Sequence, residues 1–279
     1  MLGLKQSPPI AQLTVSDGSA CVLYAGPGSS SSVQCWGFRL GVQTEQAFVP
    51  QAVGVPGTCG AVSISLGTYA ACAVMNTGTV ACWRTDGIPM IAAEVPGLNN
   101  VVKVAASGSS ANCAIVHSAG ETDSLWCWGK LGGGFISNSS TPRMVSGLPG
   151  NVTDIALGVL HACALVDNSN DRSGGDVYCW GANHYAQLGQ GYYNATNTSY
   201  VRPPSTATPM RVKGLSRVRA LYTGGSTTCA VTAFQQVLCW GDNGSGQLPV
   251  DPAAQVELAR RGFFVVPSPA VLTGVCVHE

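Results

Sequence analysis

Twelve cysteines stand at positions 21, 35, 59, 72, 82, 113, 127, 163, 179, 229, 239 and 276, and ten of them fall into pairs 10 to 16 residues apart. Thiols at this density either hold a metal or oxidise in pairs. Zinc sites favour Cys-x-x-Cys knuckles or nearby histidines. No such knuckle occurs and only four His are present, so no metal site is expected. The expected chemistry is disulfide formation, Cys21 with Cys35, Cys72 with Cys82, Cys113 with Cys127, Cys163 with Cys179 and Cys229 with Cys239. In the second pair the arms meet through Asn76-Thr77-Gly78, a three-residue hairpin loop ending in glycine, which sets Cys72 opposite Cys82. Opposed residues of antiparallel strands lie about 4.5 to 5.5 Å apart, within disulfide reach. The other pairs enclose longer or less regular turns and are candidates for the same bridge. Cys59 and Cys276 are left over.

The remaining reactive side chains do not assemble into a catalytic set. His184 has no Ser or Cys nucleophile pattern beside it. Asp123, Asp154, Asp167, Asp171, Asp176 and Asp242 stand mostly near turns, where Asp serves the backbone. Ser29 to Ser32 read as a hairpin tip, and no glycine-rich loop joins a strand to a helix as a phosphate cradle. No catalytic residue and no cofactor is expected.

The elements that carry the cysteines recur. First arms read Cys21-Val22-Leu23, Cys72-Ala73-Val74, Cys113-Ala114-Ile115, Cys163-Ala164-Leu165 and Cys229-Ala230-Val231. Second arms end in Cys35-Trp36, Cys82-Trp83, Cys127-Trp128, Cys179-Trp180 and Cys239-Trp240. The fixed place of the five tryptophans argues for packing rather than carbohydrate stacking. Upstream of each hairpin another strand carries an apolar pair: Ile10 and Leu13, Ala61 and Ile64, Val102 and Ala105, Val152 and Ile155, Val218 and Leu221. A connector with glycine then an aliphatic residue follows the pattern Gly54-Val55, Gly97-Leu98, Gly147-Leu148, Gly214-Leu215 and Gly274-Val275, with Gly3-Leu4 as a sixth. Four short strands per unit at a period near 50 residues predict an all-β fold, a β-propeller of four-stranded blades forming a single domain over residues 1–279. The hairpins lie at 21–35, 72–82, 113–127, 163–179 and 229–239. A chain that starts and stops in a connector reads as part of a longer array or as a ring closed by its ends.

Composition agrees. Among 279 residues, 35 Gly and 16 Pro punctuate short apolar runs, as tight turns between strands require. Lys plus Arg equals Asp plus Glu at 14 each, so no basic footprint invites nucleic acid. The longest apolar stretch, Phe263 to Val277, is broken by Pro267, Pro269 and Gly274, so no membrane span is expected. Residues 251–262, opened by Asp251-Pro252 and closed by Gly262, predict a surface helix.

Gly158, His161, Ala164-Leu165, Val177, Trp180-Gly181, Asn183 and Gln187-Leu188-Gly189 resemble the repeat of the regulator of chromosome condensation family, and Trp240-Gly241-Asp242-Asn243 with Gly246-Gln247-Leu248 matches again. The likeness is strongest in the fourth and fifth units. Arg84 replaces the glycine after Trp83, and the third unit lacks the Gln-Leu-Gly ending. The resemblance implies a propeller, usually of seven blades, with function carried by loops and with a structural rather than catalytic His161. The cysteine before each tryptophan is similar to the secreted and receptor-ectodomain branches of that family, not to its intracellular nucleotide exchange factors.

Periodic disulfides imply an oxidising compartment, and sequons at Asn138, Asn151, Asn194, Asn197 and Asn243 are compatible with a glycosylated extracellular protein. No leader of basic then apolar residues opens the chain. The expected role is non-enzymatic binding of a protein ligand through loops. Tyr185, Tyr192, Tyr193, Tyr200 and Arg202 after Trp180-Gly181 are the first candidates, because Tyr and Arg anchor interfaces, and Phe135 is the second. A structural spacer, a hydrolase at the propeller face and an exchange factor are the alternatives.

Overall fold

The computed structural model describes residues 8–26, 30–38, 48–85, 90–108, 111–131, 137–167, 174–191, 204–248 and 265–271. Five four-stranded antiparallel sheets follow one another along the chain. The first is β1 (Ile10–Ser16), β2 (Ser19–Tyr24), β3 (Ser32–Phe38) and β4 (Phe48–Gly54). The second is β5 (Ala61–Leu66), β6 (Ala70–Met75), β7 (Val80–Arg84) and β8 (Ala93–Glu94), and the third is β9 (Val101–Ala106), β10 (Ala111–Val116), β11 (Ser124–Leu131) and β12 (Ser137–Met144). The fourth is β13 (Asn151–Leu157), β14 (His161–Asp167), β15 (Asp176–Gly181) and β16 (Thr206–Arg211), and the fifth is β17 (Val218–Gly224), β18 (Thr227–Thr232), β19 (Val237–Asp242) and β20 (Val265–Val271). Each sheet pairs its strands in chain order, and the first strand of each touches the first strand of the next. This is a β-propeller of five blades, first strands inward. The expected helix at 251–262 lies outside the described residues.

In every blade the two cysteines face each other across the middle strands, with Cα atoms 4.0 to 4.1 Å apart, and all five expected disulfides are formed. The period of two along a strand sends Cys and its i+2 neighbour to one face and Trp to the other. Each blade therefore has a trailing face, bearing the disulfide, and a leading face, bearing the tryptophan. Cys21, Leu23, Val33 and Cys35 of blade 1 pack on Ala71, Ala73 and Trp83 of blade 2. Cys163, Leu165, Val177 and Cys179 of blade 4 likewise receive Trp240 of blade 5. The tryptophans at 83, 128, 180 and 240 are buried, and Trp36 is half-buried.

Every first strand carries a β-bulge near its start, at Ala11, Val62, Val102, Thr153 and Arg219. The bulge turns an i, i+3 pair toward one face, which explains why the apolar pairs are three residues apart. In blade 3 the buried pair is Val101 and Val104, not the expected Val102 and Ala105: Val102 is the exposed bulge residue. Ala105 is buried too, but on the opposite face with Cys113, its register partner. The cause is a turn at residues 107–110, one residue longer than its counterpart at 67–69.

A second correction concerns the connectors. Gly97, Gly147 and Gly214 sit in the turn after the fourth strand rather than within it, and in blade 1 the equivalent is Gly57, not Gly54. The alignment is fixed by a repeated hydrogen bond, Val55 to Val33, Val95 to Val80, Val145 to Leu125 and Val212 to Val177, each amide donating to a carbonyl at 2.8 to 2.9 Å. Thr58 then stands where the others have leucine; buried, it donates to the Val55 carbonyl at 2.7 Å.

After the tryptophan the chain must turn tightly. Gly241 has φ +110°, and a Cβ there would lie 2.3 Å from the Ser226 carbonyl oxygen. Arg84 holds the equivalent place in blade 2 without a positive φ, so that blade leaves its third strand by a different path.

Candidate functional site: the loop face

Antiparallel order puts the connections between first and second strands, and between third and fourth strands, on one face of the propeller. The strand ends joined by the long connections 182–205 and 243–264, and those joined by 132–136, lie at this face. The connections between strand ends at the opposite face, among them 76–79, 117–123, 168–175, 212–217 and 233–236, are shorter than 182–205 and 243–264. The tyrosine-rich segment and the Phe135 segment thus leave their strands on the same side.

The start of the 182–205 connection is built as a rigid cup. Asn183 Oδ1 accepts from the Leu188 amide at 3.1 Å, Gln187 Oε1 accepts from the Tyr185 amide at 2.8 Å, and the Ala186 amide donates to the Asn183 carbonyl at 3.3 Å. Blade 5 repeats it: Asn243 Oδ1 accepts from Leu248 at 2.7 Å and Gln247 Oε1 from Ser245 at 2.9 Å. The Asn and Gln of the motif are backbone clamps, and the leucine after the Gln is buried. With the interior so used, His184 and Tyr185 project outward, Tyr185 being 46% exposed.

Beneath the cup lies the seam between blades 4 and 5. The Trp240 indole N–H donates to the Gln187 carbonyl at 2.9 Å, and the Thr228 hydroxyl donates to the same oxygen at 3.4 Å. His161 Nε2 stands 2.7 Å from that hydroxyl. The arrangement that satisfies all three has Nε2 protonated and donating to Thr228, leaving Nδ1 a bare, unpartnered acceptor. Burial with no charged neighbour pushes the His161 pKa down to about 4. A neutral imidazole wholly shielded from solvent is a packing element, in line with its expected structural role. Gly158 is required beside it, since a Cβ there would fall 2.2 Å from the ring.

Of the expected binding residues, Tyr185 is placed on this face; Tyr192, Tyr193, Tyr200, Arg202 and Phe135 lie outside the described residues, as do Asn194 and Asn197. The Asn138 side chain is also outside them. Asn151 accepts from the Asp123 amide at 2.7 Å on the opposite face. Asn243 is only 7% exposed and, like Asn183, clamps its loop, a structural use of that amide. Cys59 is exposed and free, while Cys276 is outside the described residues. Among the described residues no group of three or more His, Cys, Asp or Glu is placed to hold a metal, and no helix is long and apolar enough to cross a membrane.

Sequence reasoning missed the polar residues of the first strands. Gln12 of blade 1 accepts from the Ile64 amide at 2.8 Å and donates to the Ile64 carbonyl at 2.7 Å, both in blade 2. At the same strand position Lys103 of blade 3 pairs with Asp154 of blade 4, and Asp154 accepts from the Leu221 amide of blade 5 at 3.1 Å. In blades 1, 3 and 4 the residue just before the second apolar of the pair ties its blade to a neighbour near the axis. The constant signal is its position; its chemistry varies.

Residues 174–231, running from the second arm of the blade 4 hairpin through its cup to β18 of blade 5, match the regulator of chromosome condensation (RCC1) repeat. The chain's RCC1-like relatives include the human E3 ubiquitin-protein ligase HERC2, 30% identical over 160 residues, which are 53% of this chain and 3% of the relative. Another is the Arabidopsis thaliana ultraviolet-B receptor UVR8, 29% identical over 167 residues, 57% of this chain and 34% of that one. The matches therefore span about a third or less of these curated relatives' length. Among solved structures, the yeast RCC1 protein Prp20 bound to Kap60 superposes with a TM-score of 0.70 at 19% identity, over 95% of this chain and 61% of that one. Human WBSCR16 gives 0.68 at 15% identity, over 97% and 68%. At these identities the likeness is one of fold.

Proposed function

We propose that this RCC1-repeat propeller is a non-enzymatic module of the extracellular space or cell surface that binds a protein partner through the loop face. The observation that carries the reading is the asymmetry of the faces: the long connections at 182–205 and 243–264 leave on one side, from cups whose interiors are fully used by the fold. Rigid cups that display variable segments suit recognition, because little ordering entropy is lost in the scaffold on binding. A yeast relative of the same fold is described as bound to Kap60, which supports a protein as the class of partner. Five disulfides in register support an oxidising compartment, since reducing pools do not leave such bridges intact.

The test is cross-linking mass spectrometry of the purified chain on the surface of its own cells, beside a variant whose residues 192–203 are replaced by a Gly/Ser segment. Cross-links to one surface protein from 182–205, lost in the variant, are expected. Cross-links confined to the opposite face, around 95–100 and 117–123, overturn the reading.

A further inference from the structure

The connections 55–60, 95–100, 145–150 and 212–217 each carry the chain from the outer strand of one blade to the inner strand of the next, across the face opposite the long loops. They leave the outer strand in the same way, through the repeated amide bond of Val55, Val95, Val145 and Val212. The matching stretches 54–62, 94–102 and 144–153 hold one charge between them, Glu94. The fourth reads Arg211-Val212-Lys213-Gly214-Leu215-Ser216-Arg217-Val218-Arg219, four cations in nine residues of a chain with 14 Lys and Arg in all. The path thus forms without positive charge elsewhere, and the cations of the fourth copy are an addition to it.

All four cations are exposed, at a junction formed inside the chain with both of its blades in place. Arg211 lies on β16, the outermost strand of blade 4, and Arg219 near the start of β17, the innermost strand of blade 5. The row therefore runs from rim to axis across the width of a four-stranded blade, roughly 14 Å at the usual strand spacing. Asp176 takes Arg211 in a two-bond fork, at 2.7 and 2.9 Å. Among the described residues Lys213, Arg217 and Arg219 pair with no acid, and the sequence has neither Asp nor Glu between Asp176 and Asp242. Asp154, one blade back near the axis, is engaged by Lys103 and the Leu221 amide. Arg217 is held against its own preference: its φ of +56° is left-handed, and Gly60 and Asn100 take that conformation at the matching place of the first two connections. Its carbonyl accepts from the Ala233 amide at 2.7 Å, and its guanidinium lies 5.7 Å over the Phe234 ring. Glycine or asparagine would fit that backbone with less strain, so the fold alone does not call for arginine there.

We propose that this row binds a linear acidic polysaccharide, one bearing a carboxylate on successive sugars, whose charges meet Lys213, Arg217 and Arg219 in turn. A row of fixed cations one blade wide suits a linear polyanion, since a single small anion would engage one of them and leave the others to solvent. The guanidinium fork matches a planar carboxylate, as Arg211 does with Asp176. The site lies opposite the long loops, so a protein on the loop face and a polysaccharide here do not compete. The choice of polysaccharide over nucleic acid rests on the extracellular setting proposed above; the place of the site does not.

The experiment is fluorescence anisotropy of labelled alginate oligomers titrated with the full chain at low and high salt, beside neutral dextran oligomers and single-stranded DNA of matching charge number. It needs no cell and no protein partner, so its failure and that of the loop-face reading are told apart. Lys213→Ser, Arg217→Asn and Arg219→Val each import a residue that another connection uses at the same place, Ser146, Asn100 and Val102. Unchanged thermal unfolding confirms folding, and should the triple variant fail to fold, the three single ones carry the test. Alginate is expected to bind and to be released at high salt, and dextran not to bind. The triple variant is expected to bind alginate about tenfold more weakly or worse, each single variant to lose part of this, and Arg143→Gln, an exposed cation of blade 3, to change nothing. A wild type that does not bind alginate, variants that bind it as the wild type does, an equal loss in Arg143→Gln, or DNA bound as tightly as alginate overturns the proposal.

Discussion

Trp240 of the fifth blade donates its indole N–H to the carbonyl of Gln187 in the fourth, 2.9 Å away and shielded from solvent. The bond joins the tryptophan of one repeat to the Gln-Leu-Gly turn of the repeat before it, so the motif residues are two ends of one seam. In blade 2 the Trp83 indole N–H is buried with no partner among the described residues. The first unit has no Gln-Leu-Gly after its Cys-Trp-Gly, so the acceptor turn used in blade 5 is missing there.

Truncating these tryptophans should therefore not be equivalent. Trp240→Ala should destabilise the chain by about 3 to 5 kcal/mol, the usual range for a packed aromatic. Trp36→Ala, at the half-buried end position, should have less than half that effect. Chemical denaturation of dilute samples measures both, and equal losses would contradict a contribution set by burial.

His161 makes the seam sensitive to acid. Its folded pKa of about 4 lies below the ordinary 6.5, so on acidification the unfolded chain takes up a proton that the folded one refuses. Stability is unaffected by this group above pH 6.5, falls as pH drops from 6.5 toward 4, and levels off below. The loss over that window is about 3 kcal/mol. His161→Gln removes the titration, so its stability should vary less with pH over this window than that of the wild type. Parallel pH profiles would disprove the buried neutral state.

Asp154 ties three blades, and Asp154→Ala should destabilise by about 1 to 3 kcal/mol because the Leu221 amide loses its acceptor. Lys103→Met, which removes only the half-exposed end of the ion pair, should change stability by less than about 1 kcal/mol. Unfolding curves of both variants give the comparison. A larger effect for Lys103 would show that charge, not the amide contact, holds the axis.

The hairpins, their disulfides and the blade architecture were legible because they rest on local facts: paired cysteines at short spacing, period-two apolar runs and a repeat near 50 residues. Two register expectations failed for equally local reasons. Strict counting back from Cys113 missed the extra residue in the 107–110 turn, which moves the buried pair to Val101 and Val104. Counting on glycine alone chose Gly54 over Gly57, because Thr58 stands where leucine marks the other units. The axial ties of Gln12, Lys103 and Asp154 were illegible, since a contact defined only by proximity can be made by an amide, a cation or a carboxylate. Tyr185 is exposed because the residues around it are consumed by the cup.

The central claim is that each repeat is a blade stapled across its own middle strands, and a non-reducing peptide map of protein isolated from its native source tests it most directly. The account predicts five linked peptide pairs, Cys21 with Cys35, Cys72 with Cys82, Cys113 with Cys127, Cys163 with Cys179 and Cys229 with Cys239. A bridge from any of these ten to a cysteine of another hairpin, or their recovery as free thiols, would contradict both the stapled blade and the oxidising compartment inferred from it.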